Sequence, residues 1–123
     1  TRYQHVLLRL GELIAYAESA GSLARRAALM SENRLNEKAN RRFDAPALAA
    51  ISRTFAREAA LKVAHDGLRW VIGGSGLTSA ELPAFETSMG LPAIHRAQAG
   101  SISDFDFVAD VIYGRAAKRQ VAA

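Results

Sequence analysis

The sequence predicts an all-α protein, an up-down helical bundle of two long helices and several shorter C-terminal ones. Three observations carry that prediction. Apolar residues recur at three- and four-residue spacing over Tyr3–Ser31 and again over Ala45–Ile72. Turn-forming residues separate the two segments at Ser31-Glu-Asn-Arg-Leu-Asn36. Beyond Gly76 the text breaks into short stretches punctuated by Pro83, Pro92, Gly90 and Gly100.

In the first helix Tyr3, Val6, Leu7, Leu10, Leu13, Ile14 and Ala17 fall on one face, continued by Ala20, Gly21, Ala24, Ala27 and Ala28. Small side chains in that second half let a neighbouring helix approach closely, so Ala17–Ala28 reads as a packing seam. On this reading Gly11 and Gly21 are tolerated because they pack closely, and Ala24→Arg disrupts packing. The second helix opens at Asp44-Ala-Pro46, with Asp44 as N-cap and the proline in the first turn, where its missing N–H costs nothing. Its stripe of Leu48, Ile51, Phe55, Ala59, Val63, Trp70 and Val71 is widened by Leu61, Ala64 and Leu68, which suits a helix touching two neighbours, with Trp70 in the core. Gly73-Gly74 is expected to end it by accepting positive φ.

Downstream, Thr78-Ser-Ala-Glu81 has the capping-box pattern, and Pro83 forces any helix to restart near it. Leu91–Ala99 reads as a short helix with Pro92 in its first turn, stopped by Gly100. Ser103-Asp-Phe-Asp106 reads as a further helix start, with Phe105, Val108, Ala109 and Ile112 on the inner face and an end near Arg119.

At 123 residues the chain is expected to form one domain, residues 1–123. Lacking cysteine, it has neither disulfides nor thiolate metal ligands. No apolar run is long enough to span a membrane and no secretory leader opens the chain, so the expected compartment is the cytoplasm. The start at Thr1 rather than Met fits either simple Met removal or a piece cut from a longer polypeptide, here expected to be its C-terminal part. The formal net charge of +4 is unevenly spread. Arg25, Arg26, Arg34, Lys38, Arg41 and Arg42 against Glu32 and Glu37 make one stretch +4; Glu81, Glu86, Asp104, Asp106 and Asp110 against Arg96 make another −4. The first reads as a solvated surface partly neutralised by the second. It lacks the interleaved aromatics that nucleic-acid binding uses, while peripheral contact with an anionic membrane stays open.

No catalytic constellation appears. His5, His65 and His95 have no partner at metal-ligand spacing, and His65-Asp66 are helix neighbours that do not face each other. Ser75, Ser79 and Ser88 lack a nucleophile-elbow context. Gly73-Gly74-Ser75-Gly76 follows a helix, whereas phosphate cradles follow a strand and open a helix, so it reads first as a turn.

One segment resembles a known family. Phe55-Ala-Arg-Glu-Ala-Ala-Leu-Lys-Val-Ala-His-Asp-Gly-Leu-Arg-Trp-Val-Ile-Gly-Gly-Ser-Gly-Leu77 is similar to the C-terminal helical domain of acyl-CoA dehydrogenases, in which an Ala-x-x-Val-Ala-x-Asp helix runs into a Gly-Gly-x-Gly-aromatic turn. The Ala-rich Leu10–Leu29 segment looks like the preceding helix of the same bundle, so the likeness covers about residues 5–77. It implies a parent enzyme that carries FAD and oxidises acyl-CoA, with Gly73, Gly74 and Gly76 near the cofactor. The match is incomplete: Trp70 stands nearest the place of the flavin-contacting glutamine, Leu77 replaces the aromatic, and Glu86-Thr87-Ser88 is too close to the glycines to supply the catalytic glutamate. Retained helices with lost reacting groups resemble the extra C-terminal domain of very-long-chain-type members. That likeness implies an accessory domain packing on the catalytic domains of its own polypeptide, within a homo-oligomer, through the Ala17–Ala28 seam. A stand-alone interaction module binding an anionic partner through Arg34, Lys38, Arg41 and Arg42 is the alternative.

Overall fold

The computed structural model describes residues 4–34, 43–74 and 76–115. Five α-helices make up the architecture, α1 (Gln4–Ser31), α2 (Ala45–Gly74), α3 (Leu82–Ser88), α4 (Leu91–Arg96) and α5 (Ser101–Ile112), with no strand among the described residues. The all-α expectation, with two long helices followed by shorter ones, is met.

Local chemistry sets most of the helix ends. The Asp44 carboxylate accepts from the Ala47 N–H at 2.9 Å, satisfying one of the orphan donors that open α2. α1 ends in a Schellman motif: Asn33 takes a left-handed φ of 59°, and the Asn33 and Arg34 amides donate back to Met30 and Leu29. α5 ends in the same way at Gly114 (φ 72°), with Arg115 N–H bonded to the Asp110 carbonyl. The helix therefore stops at Ile112, well short of Arg119, which lies outside the described residues. Gly100, at φ 85°, is the N-cap of α5, three residues before the expected cap, so Ser103 is an interior residue and not a cap. The helix restarts near Pro83 as expected, with α3 beginning at Leu82 and the proline in its first turn. Thr78 is not its cap, since Glu81 holds the N-cap position without a side-chain bond. The Thr78 hydroxyl, which accepts from the Glu81 N–H, donates to the Glu81 carboxylate at 2.8 Å within the preceding turn.

Gly73 and Gly74 depart from their expected role. Both are helical residues in the last turn of α2, and the left-handed glycines are Gly90, Gly100 and Gly114. Gly11 also departs from expectation, since a Cβ there would meet nothing within 4 Å, and at Gly21 it would meet only the tip of Arg25. Neither glycine is held by close packing.

The described residues gather into two compact units. The first draws on Thr1–Ser19 and Arg57–Ala99, the second on Ala20–Ala56 and Gly100–Ala123. In the first unit the Lys62 ammonium lies 3.2 Å from Asp66 and 3.6 Å from Glu12, and 5.7 Å from the centre of the Tyr16 ring, tying α1 to α2. Hydrogen bonding to Asp66, reinforced by the two carboxylate charges, holds the Lys62 pKa above the ordinary lysine value. In the second unit Arg53 grips Asp104 through two bonds of 2.8 and 2.9 Å, pinning α5 to α2. Asp104 and Asp110 of the acidic stretch engage Arg53 and Arg115, while Lys38, Arg41 and Arg42 of the basic stretch lie outside the described residues.

The core is slight. Among the described residues the buried apolar side chains are Leu13, Leu48 and Leu91 with Ala27, Ala47, Ala50, Ala59 and Ala64. Three leucines and five alanines bury little apolar area, so much of the apolar content stays at the surface.

Candidate functional site

Within the first unit, α1 and α2 leave an open apolar groove of about 500 Å³. Leu10, Leu13, Ile14 and Ala17 form one wall; Val63, Gly67, Trp70 and Val71 form the other. The three-four spacing that sequence analysis assigned to an internal face explains why these residues converge. What the spacing did not reveal is that the face is largely uncovered. Leu13 alone of that row is buried, while Leu10 is 43% and Ile14 55% exposed. Leu7, one turn before Leu10, is 62% exposed. Trp70 is half-buried, a wall of the groove and not a core residue. A continuous apolar surface of this kind on a helix pair is the geometry that receives a further apolar helix.

The alanine seam is likewise open. Of Ala17, Ala24, Ala27 and Ala28 only Ala27 is buried. Ala24 is exposed, so the packing that Ala24→Arg is expected to disrupt is not that of the chain's own core.

Gly73, Gly74 and Gly76 are exposed, and a Cβ on any of them would meet nothing within 4 Å. Among the described residues no side chain or backbone contact requires glycine there. Ser75 lies outside the described residues. The other candidate hydroxyls serve local structure: Ser88 donates to the Phe85 carbonyl and Thr87 to the Pro83 carbonyl. Glu86 is half-buried on α3.

One juxtaposition escaped the sequence altogether. The Arg57 guanidinium donates to the carbonyls of Ala97 and Ala99 at 2.8 and 3.0 Å, capping the turn after α4. Gln98 returns a bond to the Arg57 carbonyl. These bonds hold α4 against α2 and place His95 Nε2 3.4 Å from His65 Nε2, with the rings crossed at 67°. Both side chains are exposed. Asp66 turns to Lys62 instead, so the adjacent His65 and Asp66 do serve different partners. No sequence signal marks the histidine pair, because thirty residues and the whole of α3 separate its members. Among the described residues no group of three or more metal-ligating side chains forms.

No helix among the described residues is long and apolar enough to cross a membrane. No family model, curated protein or solved structure matches this chain.

Proposed function

We propose that this chain is an accessory helical domain of the C-terminal kind, belonging to an FAD-dependent acyl-CoA dehydrogenase-like oxidoreductase, and that it packs or oligomerises the enzyme without taking part in its chemistry. The observation that carries the packing role is the open groove between α1 and α2, with Leu10 and Ile14 spaced one turn apart on its rim. Such a groove accepts the apolar stripe of one more helix, whose side chains would seat against Ala17 and Gly67, the least bulky residue of each wall. The occupant is a helix of the catalytic domains of the same polypeptide. The assignment to a flavoenzyme rests on the Phe55–Leu77 resemblance alone, as does the placing of Gly73, Gly74 and Gly76 near the cofactor. FAD and the reacting glutamate belong to the catalytic domains on this reading.

The alternative, a stand-alone module binding an anionic partner, draws on the basic stretch. Lys38, Arg41 and Arg42 lie outside the described residues, and Arg34 is ion-paired with Glu32 at 3.3 Å. The two readings separate in one experiment. The polypeptide encoded by the complete gene is purified and assayed for bound flavin and for acyl-CoA-dependent reduction of an artificial electron acceptor, with and without this segment. The accessory-domain reading expects flavin and activity in the complete protein, and a smaller assembly when the segment is removed. A flavin-free protein that binds anionic vesicles in a salt-dependent manner overturns it in favour of the alternative.

A further inference from the structure

We propose that His65 and His95 form a two-imidazole seat for a single borderline transition-metal dication of the zinc, nickel or copper class, bridging α2 to α4. The inference is independent of the flavoenzyme reading. It starts from the 3.4 Å separation of the two Nε2 atoms. Two imidazole nitrogens bound at 2.0–2.1 Å to one tetrahedral ion lie about 3.3 Å apart. The donors are therefore already spaced for a shared ion, and binding asks only for a tilt of two exposed rings.

In the metal-free chain the same two nitrogens form an N–H···N hydrogen bond, in which one Nε2 carries a proton and the other accepts it. An entering ion takes both lone pairs. The ring that carried its proton on Nε2 then holds it on Nδ1. Two further positions on the ion open to solvent and take water, in keeping with the exposure of both rings.

The backbone preorganises the seat. Arg57 and Gln98 fasten the segment after α4 to α2 on the same side, so the imidazoles are carried by fixed helices and not by a loop. Lys62 is engaged with Asp66 and Glu12, and Arg57 with the Ala97 and Ala99 carbonyls. Borderline dications favour imidazole, whereas magnesium and calcium favour oxygen donors, which sets the class of ion.

Titration calorimetry of the chain with zinc chloride at neutral pH, with nickel and copper in parallel, tests the proposal. One ion per chain is expected. His65→Gln and His95→Gln should each weaken it by roughly tenfold or more, since losing a ligand costs at least as much as losing a ligand's supporting partner. His5→Gln, in α1, should leave it unchanged. Copper(II) paramagnetic resonance should report two nitrogen donors in the native chain and one in either single variant. Zinc should raise the unfolding temperature of the native chain and not of the His65→Gln/His95→Gln double variant. Circular dichroism of the variants controls for folding, and both positions are exposed. Binding that persists in the single variants, binding that depends on His5, or no binding at millimolar metal overturns the proposal.

Discussion

Gly67→Ala is the substitution that asks most directly whether the groove is open in the isolated chain. Gly67 lies in α2 and lines the groove, and a Cβ built there meets nothing within 4 Å. With no steric term, only helix propensity remains, which favours alanine by about 0.8–1.0 kcal/mol in a helix interior. The variant should therefore gain close to ~1 kcal/mol and melt roughly 4 °C higher. Gly11→Ala in α1 is the matched control, since its Cβ also meets nothing within 4 Å and it does not line the groove. Guanidinium denaturation followed by far-UV circular dichroism measures both, with an unchanged slope confirming that only stability has moved. The two variants should gain alike, but only Gly67→Ala should weaken docking, because its methyl group adds bulk to a wall of the groove. If Gly67→Ala destabilises the chain while Gly11→Ala stabilises it, something already covers Gly67, and the case for an open docking groove fails.

The same substitution at Gly90 should act in the opposite direction. Gly90 holds φ at 77° between α3 and α4, so Gly90→Ala should cost about 1–2 kcal/mol in the same denaturation assay. Asp44→Ala removes the side-chain acceptor for the Ala47 N–H and should cost about 1 kcal/mol. Lys62 supplies a pH test. Its folded-state pKa is raised, chiefly by the hydrogen bond to Asp66, so its contribution is complete at neutral pH and is lost as pH climbs through the raised value. The stability difference between the native chain and Lys62→Gln should be constant near neutrality and shrink once pH passes about 10.4; a difference that widens there would contradict the sign.

Much of the fold was legible because its determinants are local. Asp44 caps the Ala47 amide, Pro83 and Pro92 sit in first turns, and Asn33 ends α1, all through chemistry contained within a few residues. The failures share a different cause. Ser103-Asp-Phe-Asp106 looks like a cap, but Asp104 is drawn to Arg53, fifty-one residues away, and Gly100 starts the helix instead. Gly73-Gly74 looks like a stop, yet glycine permits the left-handed turn without requiring it, and both residues remain helical. Periodicity located the apolar face of α1 correctly. Periodicity reports which residues share a face and says nothing of whether the chain has enough helix to cover it, so Leu10, Ile14 and Ala24 proved exposed. The His65–His95 pair is purely tertiary, created by Arg57 and Gln98 holding α4 to α2.

The central claim is that the α1–α2 groove is a packing surface for a flavoenzyme scaffold. The most direct measurement is sedimentation of the full polypeptide, detected at the flavin absorbance, for the native sequence and for Leu10→Glu/Ile14→Glu. Both residues are exposed, so the variant should fold as the native chain does. The account predicts a flavin-bearing assembly that falls to a smaller species in the variant with its flavin retained. An assembly of unchanged size in the variant, or a native protein that sediments without flavin, would contradict it.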